Sequence, residues 1–359
     1  MGGVLASRWL KTTTATSGGN RIMKISALFT AAALIGATLF SPAHAADYTI
    51  DVSLDTSPNH VRNRSFRKFA EALNEKSGGR LEMRVFDSAS KYKGPMVATA
   101  VAQGAIDMAA PAHQHLSKYV PEAGMLLLPM FYGQSQDVIY KIVDGDIGKE
   151  LNQRIEDKLG VVVLGRPFDL GYGTAFTTDV PIKSPDDFKD KVVRVPGGAA
   201  TLARYRVFGS NPVQIAWSDV PQALQTDVVS AIWATQESVA SSKLWDAGIK
   251  YAYEDKQAFI EYVPIISQAA WSKLPEDLQK LMRDTWENMV DEVRNVAADA
   301  QIDARKINAE HGIETIDANP EELAAMREKL MKAQPEIVDE LDMDKDFIAR
   351  VSDAIAAAQ

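Results

Sequence analysis

Apolar and polar residues alternate through Tyr48, Ile50, Val52 and Leu54, the period-two pattern of a strand. Ser57-Pro58 then offers an N-cap followed by a first-turn proline, and Phe66, Phe69, Ala70 and Leu73 fall on one helical face up to Gly78-Gly79. Leu81, Met83 and Val85 alternate again. A second helix is predicted from Pro95 to about Gln103, with a turn at Gly104 leading into a short strand near Met108. Val161–Gly165 and Val192–Val195 read as buried strands. Strands alternating with helices predict an α/β fold with a mostly parallel sheet. Leu274-Pro275-Glu276-Asp277 opens the longest element, whose stripe (Leu278, Leu281, Met282, Trp286, Met289, Val290, Val293) continues toward His311 and stops at Gly312. As one helix it would reach on the order of 50 Å and tie two lobes together. A break near Ala297–Ala300 would make it two.

The N-terminus changes what has to fold. Met23-Lys24 precedes the apolar run Ile25–Phe40, and Ser41-Pro42-Ala43-His44-Ala45 supplies a small-x-small cleavage pattern. A basic start and a short apolar run are expected of a secretory signal peptide cleaved after Ala45, so the protein is expected in the periplasm. A membrane anchor would need a longer run. Residues 1–22 read as an upstream extension. The mature chain, 46–359, is long enough for roughly two domains. It contains no cysteine, so packing rather than disulfides must hold it. Removing Arg8, Lys11, Arg21 and Lys24 takes the net charge from −9 to −13, which excludes nucleic-acid binding through bulk electrostatics.

No motif nominates catalysis. There is no Gly-x-Ser-x-Gly elbow, P-loop, dinucleotide-binding glycine pattern or His-Glu-x-x-His. The mature histidines are His60, His113, His115 and His311. His113-Gln114-His115 has strand-like spacing for two metal ligands, but a zinc site needs a third that the sequence does not identify. No cofactor is expected.

Ser184-Pro185-Asp186-Asp187-Phe188-Lys189-Asp190-Lys191-Val192-Val193-Arg194-Val195-Pro196 and the stretch from Asn211 through Trp217-Ser218-Asp219 and Ala223-Leu224-Gln225-Thr226 to Val229 closely resemble two segments of DctP-type solute-binding proteins of TRAP transporters. Glu75–Leu81, Gln103–Met108, Leu128–Phe131 and Trp271–Gln279 fit the same family in order and spacing, so the resemblance covers nearly the whole mature chain. It implies a two-lobed periplasmic-binding-protein fold with a hinge, crossed linking strands and one long helix across both lobes. The corresponding division is 46–170 and 259–299 in the first lobe, 171–258 in the second, and C-terminal helices in 300–359 mainly on the second. The implied function is capture of a small organic acid by hinge closure and delivery to TRAP membrane subunits, by a monomer without enzymatic activity. A sensor presenting its closed form to a membrane receptor would share these features, and a secreted hydrolase or lyase would need a nucleophile or metal the sequence does not offer.

The resemblance implies that Arg194 pairs with the ligand carboxylate, since a guanidinium matches a carboxylate bidentately, and that the Trp217 ring lies against the ligand. The chain departs from the family at two places. Ala175-Phe176 follows Gly173-Thr174 where many members carry a second arginine, and Ser230-Ala231-Ile232-Trp233-Ala234 lacks a common ligand-holding asparagine. Phe176 and Trp233 should make the pocket more apolar, which favours a small monocarboxylate, an aromatic, 2-oxo or hydroxy acid, over a sugar acid. Arg166, Gln236 and Glu237 are candidates for further polar contacts, and Asp55, Lys93 and His113 align with ligand-facing loops of the first lobe. Were Lys93 to face inward, two cations would favour a dicarboxylate or sulfonate.

Overall fold

The computed structural model describes residues 46–359; the expected signal peptide and its cleavage point lie outside the described residues. Four strands come first: β1 (Tyr48–Ser53), β2 (Leu81–Phe86), β3 (Met108–Ala109) and β4 (Val161–Val163). β5 (Phe168–Tyr172) leads to a second sheet built from β6 (Thr174–Thr177), β7 (Val192–Val195), β8 (Asn211–Gln214), β9 (Ala231–Ala234) and β10 (Tyr251–Glu254). β11 (Phe259–Tyr262) leads back, β12 (Ile265–Ser267) rejoins the first sheet, and β13 (Glu314–Asp317) edges the second. The strand orders are β2-β1-β3-β12-β4 and β13-β10-β6-β9-β7-β8.

Both sheets are mixed: parallel and antiparallel pairings are equal in number in the first, and parallel pairings outnumber antiparallel ones in the second. β1 runs parallel to β2 and β3, but β12 is antiparallel to β3 and β4. The reason is the link between the lobes: β4 leads out through β5 and β11 leads back into β12, and since β5 and β11 are antiparallel, β12 enters the first sheet opposite to β4. In the second sheet β7 is parallel to β8 and β9 and β10 is parallel to β13, while β6 is antiparallel to β9 and β10. β5 and β11 pair antiparallel, with a bulge between Ile260 and Glu261, and form the crossed link between the two lobes.

The longest element is one unbroken helix of 35 residues, Glu276–Glu310. Ala297–Ala300 lie within it, as strong helix formers should. It packs on the helix Val61–Lys76 and β5, and farther along on the helix Gln236–Ser241 and β13. Trp286 anchors it to the first lobe, its ring centroid 5.7, 5.3 and 5.8 Å from those of Phe66, Phe69 and Phe168. The helix after β1 begins at Val61, not Ser57, because the His60 ring accepts from the Arg62 N–H at 3.1 Å and caps it. Pro320–Glu340 packs on Pro129–Phe131 as well as on Ala199–Val207, and Lys345–Ala358 packs on the helix Gln136–Val143. Their apolar faces, Met326 and Leu330, then Phe347, Ile348 and Val351, are buried in the main core, which draws residues from both lobes. A smaller core around Phe176, Val220, Ile232, Val239 and Ile249 supports the second sheet.

Candidate ligand-binding cleft

β7 carries Arg194 to the wall of a small cavity between the lobes. The residue is 2% exposed. Its Nε donates to the Ile215 carbonyl at 2.9 Å and Nη1 to the Trp233 carbonyl at 3.1 Å. A guanidinium has five N–H bonds, so these backbone contacts hold the group and leave the rest for another acceptor. The Trp217 ring centroid lies 5.3 Å from the guanidinium carbon. Burial pushes the Arg194 pKa down to about 10, with Asp55 and Tyr262 opposing, so the group is still a cation at neutral pH. No carboxylate among the described residues makes ion-pair contact with it. A buried cation without a paired anion is costly, and a ligand carboxylate would settle it.

The first lobe supplies the facing wall. Asp55 follows β1, and the Arg62 guanidinium holds its Oδ1 while also donating to Thr56 Oγ1 at 2.9 Å and lying 4.3 Å from the Tyr262 ring centroid. Burial alone would raise the Asp55 carboxyl, but Arg62 and His115 outweigh it and leave its pKa below the usual value. The approach is possible because Gly94 has no side chain; a Cβ there would lie 2.3 Å from Asp55 Oδ2. Thr235 and Ser238 add hydroxyls from the second lobe, Thr235 donating to Ser238 Oγ at 2.9 Å.

Contacts between the lobes close the two walls on each other; behind the wall His60 Nε2 lies 3.0 Å from Ser238 Oγ. His115 Nε2 donates to the Pro196 carbonyl at 3.2 Å. The backbone of Gly198, at φ +85°, lies against Gln114, where a Cβ would come within 2.7 Å. At the mouth, Lys93 Nζ donates to both Asp219 oxygens at 2.8 and 2.6 Å. The cavity between the walls measures about 50 Å³.

The expected site residues therefore divide. Arg194, Trp217, Trp233 and Asp55 line the cavity together. Phe176 does not: it is fully buried in the second lobe's own core and pairs with Ile232 on the face away from Trp233. Lys93 is exposed and paired with Asp219 instead of pointing inward. His113 is buried beside Glu261, its Nδ1 3.4 Å from the carboxylate, and burial lowers its pKa to about 4; its neighbour His115 lines the cavity instead. Arg166 is bound at the surface by Glu287 at 2.8 Å and Asp291 at 2.9 Å. Gln236 bonds Glu254 at 2.8 Å and Asn308 at 2.7 Å, and Glu237 contacts His60 at 3.0 Å; both lie behind the wall. Sequence reasoning missed Arg62, His115, Tyr262, Thr235 and Ser238. Only the histidine carried a signal, as half of a motif read for metal.

Comparison with known proteins matches this architecture. The profile of bacterial extracellular solute-binding proteins, family 7 (DctP), matches residues 52–340. The C4-dicarboxylate-binding periplasmic protein DctP of Rhodobacter capsulatus is 26% identical over 334 residues, covering 90% of this chain and 97% of its own. Among solved structures, the sugar acid binding protein DctPAm of Advenella mimigardefordensis with galactonate superposes with a TM-score of 0.82 at 18% identity, covering 88% of this chain and 100% of that one. A TRAP periplasmic solute-binding protein of Ralstonia eutropha with (S)-2-hydroxy-2-methyl-3-oxobutanoate gives 0.79 at 21%, covering 86% and 99%. With two lobes on crossed strands and one helix running across both, this chain belongs to the extracellular solute-binding proteins of family 7, the DctP-type binding subunits of TRAP transporters, which bind and do not catalyse.

Proposed function

We propose that the cleft captures a small monocarboxylate bearing a hydroxyl or oxo group beside its carboxylate, and that the closed form delivers it to TRAP membrane subunits. The observation that carries this reading is Arg194, a buried cation on the cavity wall with no carboxylate partner among the described residues. Two features narrow the cargo. Asp55 presents a negative charge to the cavity, which repels a second ligand carboxylate, and its Oδ2, not engaged by Arg62, can accept from a ligand hydroxyl. Lys93, turned outward, gives no second cation for a dicarboxylate or sulfonate. Relatives hold acids of several sizes; the (S)-2-hydroxy-2-methyl-3-oxobutanoate in the Ralstonia protein is a small hydroxy acid of the proposed kind.

Both lobes bury part of the ligand, so binding favours closure by the difference in affinity between closed and open forms. Export with cleavage after Ala45 and action as a periplasmic monomer complete the reading. A thermal-shift screen of residues 46–359 against lactate, pyruvate, 2-hydroxyisobutyrate, succinate, galactonate and benzoate tests the cargo. A ligand at 100 times its Kd adds about 2.7 kcal/mol of stability. Shifts from the first three acids are expected. Shifts confined to succinate or galactonate would sink this assignment.

A further inference from the structure

Side chains alternate along β5: Leu170 lines the cleft, while Asp169 and Gly171 face the other side of the hinge. There a groove of about 810 Å³ opens between the crossed strands, the long helix and the helix Pro320–Glu340, within the usual size of a small-molecule site. Its acids are engaged. Glu254 and Asp317 hold Arg305 at 2.8 Å each, and Asp169 accepts from Tyr140 at 2.7 Å and the Gly171 N–H at 2.9 Å. Two of its cations are not paired with acids. Arg327 is half-buried and donates through Nη1 to the Met130 and Tyr132 carbonyls at 3.2 and 2.8 Å, which leaves the N–H bonds of Nε and Nη2. Lys256 lies 5.5 Å from the Tyr172 ring centroid and makes no ion pair with a described residue. Gln301 gives its oxygen to the Glu237 N–H at 2.9 Å, and its buried amide nitrogen has no acceptor. Between these groups lie Leu323, Ala324 and Ile302, the last 57% exposed.

We propose that this groove is a second ligand site, taking one amphipathic carboxylate larger than the cleft cargo, its carboxylate on Arg327 and Lys256 and its apolar body along Ile302 and Leu323. Charge-assisted pairing to a partly desolvated arginine supplies the anchor, and the exposed isoleucine supplies area to cover. The test is calorimetric titration of 4-phenylbutyrate and octanoate into residues 46–359, in the parent and in Arg194→Ala, which disables the cleft anchor. Saturable one-to-one binding of at least one probe is expected, equal in the two proteins and weakened about tenfold or more by Arg327→Gln. Arg327 also holds backbone carbonyls, so Ala324→Glu, on an exposed position of the groove, carries the same test if that variant fails to fold. Absence of saturable binding of either probe, or binding lost in Arg194→Ala and retained in Ala324→Glu, would overturn the proposal.

Discussion

Glu237 packs its carboxylate between the His60 ring at 3.0 Å and the Val61 N–H at 2.7 Å. Burial raises its pKa to about 7, against the opposing pull of the Val61 N–H, Arg64 and Arg62. The folded protein thus retains a proton that the unfolded chain, titrating near 4.5, releases. The resulting stability is complete below pH 4.5 and is lost as pH rises through 7. Glu237→Gln keeps an acceptor for Val61 and removes the titration. Its melting temperature relative to the parent should therefore rise between about pH 5 and about pH 8, by the equivalent of about 3 kcal/mol. A difference that stays constant with pH would contradict the assignment. A second residue-scale prediction concerns Gly173, where a Cβ would come within 2.1 Å of Trp233 Nε1. Gly173→Ala must push that indole toward the cleft, at a cost of about 1–3 kcal/mol in urea unfolding and with weaker ligand binding. An unchanged midpoint would mean that Trp233 has room to move.

Where residue-level reading succeeded or failed follows from the elements that carry each residue. Arg194 and Trp217 were legible because they sit in an ordered series of recognisable segments. Phe176 and Trp233 were not separable, since β6 and β9 are apolar on both faces and nothing in Thr174–Thr177 or Ala231–Ala234 says which parity faces the cleft. The pairing Phe176↔Ile232 and Ala175↔Trp233 decides it. His113 and His115 would share a face in a strand, but they fall on the one-turn helix His113–Leu116, about 200° apart at 100° per residue. Only one of them then reaches the cavity. Arg166 read as a free cation because its partners Glu287 and Asp291, one helical turn apart, are more than a hundred positions away in sequence. The long helix was legible in position, and its continuity came from the resemblance, not from periodicity. Sheet direction was not legible, because a pattern of strands and helices does not reveal that the chain changes lobes without a helical crossover.

At the scale of the whole molecule, closure draws on direct contacts between the lobes, and Lys93–Asp219 is the charged pair at the mouth. Both side chains are close to half exposed, at 49% and 45%, so the pair should contribute only about 0.2–1 kcal/mol to the closed form. A double-mutant cycle of Lys93→Ala and Asp219→Ala on ligand affinity should return a coupling in that range that shrinks with added salt. A coupling of zero would remove the pair from the account of closure. The central claim, that the cavity is an anion site built on Arg194, is tested most directly by titrating lactate and pyruvate into the parent and into Arg194→Ala, with circular dichroism to verify the fold. The account predicts binding in the parent and a loss of about 2–5 kcal/mol in the variant, since the ligand carboxylate would be left without its buried partner. A folded Arg194→Ala that binds either acid with parental affinity would contradict it.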